Sequence, residues 1–141
     1  MKEKTTGELM EGLMEASSFS EYLTENQADM EERTVAQLLN DHMESKGLQR
    51  SQVAKASGIN EIYAYQVLSG TRVPSRDKLL CLGIAMQLSV DEIQELLNRG
   101  GYAQLYPRKK RDAAILFALK SKPDILTVNE ILFARGEKTL C

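Results

Sequence analysis

The chain has 141 residues, which is enough for one small domain with extensions and a modest hydrophobic core. Its apolar fraction of 43% and charged fraction of 27% are those of an ordinary globular protein. It contains no run of about 18 apolar residues, and no apolar signal region follows the first residues. We therefore expect neither a membrane span nor export, and a cytoplasmic location.

Charge is distributed unevenly along the chain. Residues 1–33 carry three basic and nine acidic side chains, residues 34–99 carry seven of each, and residues 100–141 carry eight basic and four acidic, so the local net charges are −6, 0 and +4. We expect an acidic amphipathic helical N-terminal extension (1–33), a central domain (34–99) and a basic helical C-terminal extension packed on it (100–141). The charges either solvate three surfaces, or the basic part adds phosphate contacts or binds the acidic segment.

The N-terminal extension has the pattern of amphipathic helices. Thr5/Glu8 and Ser18/Glu21 have the spacing of capping boxes. Two short apolar stripes follow them, one at Leu9, Met10, Leu13 and Met14 and the other at Phe19, Tyr22 and Leu23. We expect these stripes to pack on the protein's own core, and the alternative is a dimer seam or a partner-binding helix.

The central part also has the helical period. Capping-box patterns recur at Thr34/Gln37 and Ser89/Glu92, and no alternating pattern is long enough for a strand. The sequence therefore predicts an all-α protein. His42, the only histidine, falls on or beside the apolar face of the first domain helix, so we interpret it as a packed or edge residue.

Residues 50 to 75 carry the most specific pattern in the chain. Gly58 follows the small Ala54 by four residues, where a helix has to end with positive φ, and Asn60 is a suitable N-cap for the next helix. This second helix is predicted to run to about Leu68. Gly70 ends it, and Pro74 and Ser75 precede a further helix. Two short helices around a tight turn form a helix-turn-helix, which commonly places one helix in the major groove of DNA.

This stretch resembles the lambda repressor-like (Xre-type) helix-turn-helix family. The residues that carry the resemblance are Arg50-Ser51-Gln52-Val53-Ala54, Gly58-Ile59-Asn60 and Gly70-Thr71-Arg72-Val73-Pro74-Ser75. The resemblance implies a five-helix DNA-binding domain over about residues 34–99. Arg50 stands where the family usually has Gln, and Gln49 where it has a Ser or Thr cap. Ala64 replaces a larger apolar residue, whose volume we expect Tyr63 to fill.

The resemblance also implies a function, that of a sequence-specific transcriptional regulator reading double-stranded DNA with the helix at about residues 60–69. The residues in base-reading positions are Glu61, Ile62, Tyr65 and Gln66, and those in phosphate-contacting positions are Arg50, Ser51, Asn60, Thr71 and Arg72. No Lys or Arg lies between Asn60 and Gly70, which is unusual for such a helix. Regulators of this kind usually bind as dimers, so we expect a homodimer through the N- or C-terminal extension. The sequence identifies no small-molecule effector.

A second interpretation keeps the fold and changes the function. The neutral central domain and the acidic N-terminal extension favour a protein-interaction module, adaptor or antitoxin-like, without strong DNA binding. It would dock a partner through Ile62, Tyr63, Tyr65 and the N-terminal apolar stripes. Fold alone does not decide between the two.

The C-terminal extension is predicted to contain two helices. Pro107 suits the first turn of a helix through about Lys120, and Thr127/Glu130 indicates a last helix from Val128 to about Ala134. The basic run in the first of these turns, against the helix dipole, is Arg108, Lys109, Lys110 and Arg111. Its charge is either screened by salt or has a partner, which would be DNA phosphate or the acidic N-terminal segment.

No pattern indicates catalysis, a cofactor or a metal. His42 has no Cys or Asp at a useful spacing, and the serines have no nucleophile motif. Cys81 lies in an apolar helix, where we expect it in the core, and Cys141 is the last residue; we expect no structural disulfide between them. We therefore expect no enzymatic activity.

Overall fold

The computed structural model of the chain describes residues 4–30 and 33–141, and all regular structure in these ranges is helical. The prediction of an all-α protein is confirmed for this part of the chain. The chain divides into two compact units, Met1–Glu32 and Arg33–Cys141. Residues 34–99 and 100–141 belong to the same unit.

The N-terminal unit contains two helices, α1 (Thr6–Glu15) and α2 (Phe19–Glu25), and a short 3-10 turn at Gln27–Asp29. The Thr5 and Ser18 side chains accept from the backbone amides of Glu8 and Glu21 at 3.1 and 3.3 Å, as the capping patterns predict. None of the ten residues of α1 is buried. Its apolar stripe is thus not part of a core, and the alternatives of a dimer seam or a partner-binding helix stay open.

The larger unit contains seven helices in the range 33–141. They are α3 (Val35–Lys46), α4 (Arg50–Ala56), α5 (Glu61–Ser69), α6 (Arg76–Ala85), α7 (Val90–Arg99), α8 (Lys110–Leu119) and α9 (Ile125–Ala134). Five of them lie between residues 34 and 99, the number expected there. Full capping boxes begin α3 at Thr34/Gln37 and α7 at Ser89/Glu92.

Helix α6 is at the centre of this unit. Six consecutive residues, from Leu79 to Ile84, are buried, because α6 packs against α4, α7 and α9. Helix α3 packs on α5 and α7, α4 packs on α5, and α8 packs on α9. Buried side chains of α8 and α9, such as Ile115, Val128 and Leu132, join the same hydrophobic cluster as those of α3 to α7. One continuous core therefore supports the whole unit.

Both C-terminal helices begin at positions other than the predicted ones. Helix α8 starts at Lys110, so Pro107 precedes it instead of occupying its first turn. The cause is Asp112, whose carboxylate accepts from the Tyr106 amide at 3.0 Å and holds the segment before the helix in a turn. Helix α9 starts at Ile125, because Asp124 supplies an acceptor for the Thr127 amide at 2.8 Å. The predicted capping box at Thr127/Glu130 is therefore wrong.

Two ion pairs cross between the first turns of α6 and α8. Arg76 donates to both carboxylate oxygens of Asp112 at 3.2 and 3.1 Å. Arg111 donates to both carboxylate oxygens of Asp77 at 2.9 and 3.0 Å. Planar guanidinium–carboxylate pairs of this kind fix orientation as well as distance. They hold the start of α8 beside the start of α6.

Candidate nucleic-acid interface

Helix α5 has well-defined ends. At its start, the Asn60 side-chain oxygen accepts from the Tyr63 amide at 3.0 Å, which confirms Asn60 as the N-cap. At its end, Gly70 adopts a φ of 84°, which favours glycine, and the Thr71 amide donates to the Gln66 carbonyl at 2.9 Å. Both ends are thus set by residues that the sequence pattern identified.

One face of α5 is buried and the opposite face is open. Ala64, Val67 and Leu68 are at most 1% exposed and belong to the core. The four residues predicted to read bases lie on the other side at spacings of one, four and five residues: Glu61, Ile62 and Tyr65 are exposed, and Gln66 is half-buried. The structure therefore brings all four together on one helix face.

The residues predicted to contact phosphates lie near the ends of α4 and α5. Arg50, Asn60, Thr71 and Arg72 are exposed, and Ser51 is half-buried. Two of these side chains already have internal partners, since the Asn60 oxygen caps α5 and the Thr71 hydroxyl donates to the Gln66 carbonyl at 3.1 Å. Arg50 and Arg72 are thus the members of this set that bring a positive charge.

Asn40 of α3 organises this region and was missed by the sequence analysis. Its amide nitrogen donates to the carbonyls of Ala36 and Leu68 at 2.6 and 2.8 Å, and its oxygen accepts from Arg50 at 3.4 Å. It thereby joins α3, the last turn of α5 and the first residue of α4. An Asn on a predicted helix gives no sequence signal for such a role.

The Tyr63 ring makes cation–π contacts with two basic side chains. The ring packs against the core, as expected, and Arg72 and Lys78 lie over it, with Cζ and Nζ at 5.2 and 4.2 Å from the ring centroid. Lys78, in the first turn of α6, was not among the predicted contacts. Only the fold could reveal it, because it is fifteen residues from Tyr63 in the sequence.

The turn between α4 and α5 packs on the C-terminal part of the same unit. Gly58 has a φ of 73°, and a Cβ atom at this position would lie 3.1 Å from both Cys141 Sγ and Ile125 Cγ2. Ser57 is buried, and its hydroxyl donates to the Ala54 carbonyl at 2.7 Å. Glycine is therefore required here both for its backbone conformation and for its lack of a side chain.

The basic run before and within α8 is divided. Arg108, Lys109 and Lys110 are exposed, whereas Arg111 is half-buried and paired with Asp77. The partner of Arg111 is thus a carboxylate of α6, and not DNA phosphate or the acidic N-terminal segment, which were the two expected partners. The other three cations immediately precede Arg111 in the sequence and form no ion pair with any carboxylate in the ranges 4–30 and 33–141.

Three titratable side chains elsewhere in the larger unit, His42, Glu92 and Cys81, lie in packed or hydrogen-bonded environments. His42 is largely buried and its Nδ1 lies 3.4 Å from a carboxylate oxygen of Glu92. The Ser89 backbone amide donates to Glu92 and lowers the pKa of its carboxyl. Burial raises the pKa of the Cys81 thiol, so this thiol is not an activated nucleophile.

The ranges 4–30 and 33–141 contain no group of three or more His, Cys, Asp or Glu side chains placed to hold a metal ion. No helix in these ranges has the length and apolar character needed to cross a membrane.

Comparison with known proteins gives no match to any protein-family model, curated protein or solved structure.

Proposed function

We propose that this protein is a sequence-specific, DNA-binding transcriptional regulator with a lambda repressor-like helix-turn-helix, and that α5 enters the major groove. The observation that carries the proposal is the open face of α5, where Glu61, Ile62, Tyr65 and Gln66 lie together while the opposite face is fixed in the core. A rigid helix with such a face has the dimensions that the major groove admits.

Each side chain on this face has a chemistry that base edges recognise. Gln66 pairs with adenine through two hydrogen bonds, Glu61 accepts from the cytosine amino group, and Ile62 contacts a thymine methyl. Tyr65 adds a hydroxyl donor beside a half-exposed ring. The four side chains could thus recognise adenine, cytosine and thymine. The helix has no arginine, the residue that most often recognises guanine.

Positive charge for the DNA backbone comes from outside α5. Arg50 lies at the start of α4 and Arg72 follows the end of α5, so the two flank the reading helix in sequence. The unit Arg33–Cys141 carries sixteen basic and eleven acidic side chains, a net charge of +5, although the whole chain is at −2. Phosphate neutralisation supplies much of the affinity of DNA-binding proteins, and this unit has the required sign.

A second copy completes the proposal, because one recognition helix contacts too few base pairs for high specificity. Helices α8 and α9 offer apolar side chains for such an assembly. Phe117, Leu126 and Phe133 are 68%, 66% and 79% exposed, and the last two lie seven residues apart on one face of α9.

The decisive experiment is fluorescence anisotropy with a pool of duplex fragments from the organism's own genome at two salt concentrations. Tight binding to a subset of fragments that weakens with salt supports the proposal, and paired half-sites in that subset indicate a dimer. If no fragment is bound even at low salt, the proposal is wrong.

A specific observation also favours the alternative of a protein-interaction module. Ile62 is 69% exposed in the first turn of α5, a helix without Lys or Arg, and Met10, Met14 and Phe19 of the acidic unit are more than half exposed. A protein partner would cover such apolar side chains. In that case Tyr65→Ala abolishes partner capture, whereas Arg72→Ala leaves it unchanged.

A further inference from the structure

We propose that Tyr63 is a positioning residue that holds Arg72 and Lys78 as one phosphate-binding clamp beside the recognition helix. This inference rests on the proposed DNA-binding function and extends it to two residues, Tyr63 and Lys78, that the sequence pattern does not assign.

The geometry of the three side chains is specific. Arg72 Cζ lies 5.2 Å and Lys78 Nζ 4.2 Å from the centroid of the Tyr63 ring. Both distances are within the range of about 6 Å over which the ring quadrupole attracts a cation. The two cations come from different elements, since Arg72 is in the loop after α5 and Lys78 is in the first turn of α6.

Neither cation is neutralised within the described part of the chain. Arg76 and Asp77, next to Lys78 in sequence, are engaged with Asp112 and Arg111. Arg72 and Lys78 form no ion pair with any carboxylate in the ranges 4–30 and 33–141. Two positive charges near the same ring repel each other. A bound anion close to both of them offsets this repulsion.

Tyr63 itself is fixed. It is half-buried, packs against the hydrophobic core, and belongs to the first turn of α5, where its amide is held by Asn60. A fixed ring restricts two long, flexible side chains that would otherwise lose more conformational entropy on binding phosphate. The clamp is therefore ordered by the same helix that carries the base-reading side chains, and it sets the register of that helix on the DNA backbone.

The test compares the wild type with two substitutions of Tyr63 and removes each cation in these backgrounds. Tyr63→Phe keeps the ring and should bind DNA as the wild type does. Tyr63→Leu removes it and should weaken binding roughly two- to fivefold per cation, the equivalent of a cation–π contact. Arg72→Gln and Lys78→Gln should each lower the slope of log K against log salt by about 0.9.

The clamp predicts that these effects are coupled. In the Tyr63→Leu background, removal of Arg72 or Lys78 should cost less affinity than in the wild type. The matched control is Lys120→Gln, because Lys120 Nζ lies 4.9 Å from the Phe117 ring centroid outside this region. That substitution should leave the affinity unchanged. Additive effects of the ring and the charges would overturn the inference.

Side-chain NMR separates this inference from the function on which it rests. Ring-current shifts of the Lys78 and Arg72 methylene protons should be present in the wild type and Tyr63→Phe, and absent in Tyr63→Leu. Should the wild type bind no duplex, the proposed function fails, and titration with inorganic pyrophosphate then decides the clamp. If pyrophosphate shifts the resonances of both side chains in the wild type but not in Tyr63→Leu, the phosphate clamp is supported. If it shifts neither in the wild type, the clamp is refuted. Circular dichroism of each variant confirms that it is folded.

Discussion

Gln66, within α5, and Arg72, three residues after its end, act on different parts of DNA in the proposed function. The half-buried Gln66 is on the reading face, and the exposed Arg72 follows the helix. Gln66→Ala should change which sequence is preferred by about 1–3 kcal/mol at one base pair. Arg72→Ala should weaken binding to all sequences alike. Competition anisotropy with single-base variants of the bound fragment measures both, and an equal loss across all fragments for Gln66→Ala would contradict its role.

The lowered pKa of the Glu92 carboxyl makes the stability of the protein depend on pH. The Ser89 amide lowers the pKa of this carboxyl below its ordinary value of 4.5, so the unfolded state binds more protons at acid pH. The contribution of Glu92 to stability is complete above that value and is lost as the pH falls through the lowered pKa. Glu92→Gln should therefore be less stable than the wild type near neutral pH, and the difference should shrink with acid in urea unfolding.

The chain offers a reciprocal control for Glu92. Gln37 occupies the equivalent position of the capping box of α3, where its oxygen accepts from the Thr34 amide at 2.9 Å. Gln37→Glu should introduce an acid-sensitive contribution where the wild type has none. If Glu92→Gln and the wild type respond to acid alike, the Ser89 amide does not favour the charged form of Glu92.

At the scale of elements, the turn between α4 and α5 depends on the C-terminal part of its unit. Gly58→Ala combines a positive φ with contacts of 3.1 Å to Cys141 and Ile125, so we expect a loss of roughly 2 kcal/mol or more. Gly101→Ala is the control, since it has a φ of 79° and no atom within 4 Å of its Cβ, and should cost about 1 kcal/mol. Thermal unfolding measures the difference. Cys141→Ala should restore part of the loss in the Gly58→Ala background.

The ion pairs between the first turns of α6 and α8 contribute to the stability of the larger unit. Asp112 is 6% exposed, pairs with Arg76 and accepts from the Tyr106 amide. Asp112→Asn leaves the guanidinium without its charged partner, and we expect a loss of about 2 kcal/mol in the free energy of unfolding. The control is Asp41→Asn, in the exposed pair with Arg33, which should change stability by less than about 0.5 kcal/mol. Equal losses in the free energy of unfolding for the two variants would show that the buried ion pair contributes no more than the exposed one.

At the scale of the whole molecule, the charges of the two units oppose each other. Met1–Glu32 carries two basic and nine acidic side chains, so its removal changes the net charge from −2 to +5. Because phosphates repel the acidic unit, the fragment 33–141 should bind DNA several-fold more tightly at low salt and lose this advantage at high salt. It should also unfold cooperatively, as a compact unit with its own core does.

A charge variant of the full chain controls for the loss of the N-terminal helices themselves. Replacement of Glu8, Glu11 and Glu15 by Gln removes three charges from α1 and leaves the segment in place. This variant should bind DNA more tightly than the wild type at low salt, but less tightly than the fragment 33–141. A fragment 33–141 that binds DNA more weakly than the full chain would instead give the N-terminal unit a positive role, such as a dimer seam.

Much of the helical structure follows from local sequence signals. Thr5, Ser18, Thr34, Ser75 and Ser89 cap helices where the pattern predicted them, because a side-chain oxygen at the N-cap satisfies amides within the next three residues. Gly58 and Gly70 adopt the positive φ that was predicted, since other residues are strained there. The family resemblance selected the four base-reading candidates, and in the structure they lie on the face of α5 opposite its buried residues.

Only the tertiary structure decided how distant residues combine. The pairing of Arg111 with Asp77, the support of Gly58 by Cys141 and Ile125, and the approach of Lys78 to Tyr63 join positions that are fifteen or more residues apart. These contacts join α6 to α8, the turn before α5 to the C-terminal part of the unit, and α5 to α6, and no local period encodes them. Capping and periodicity act within a few residues, so the sequence by itself determined that the chain is helical and where most of its helices begin and end. The fold decided which charged side chains are paired with an opposite charge, because such pairs join residues that are distant in the sequence.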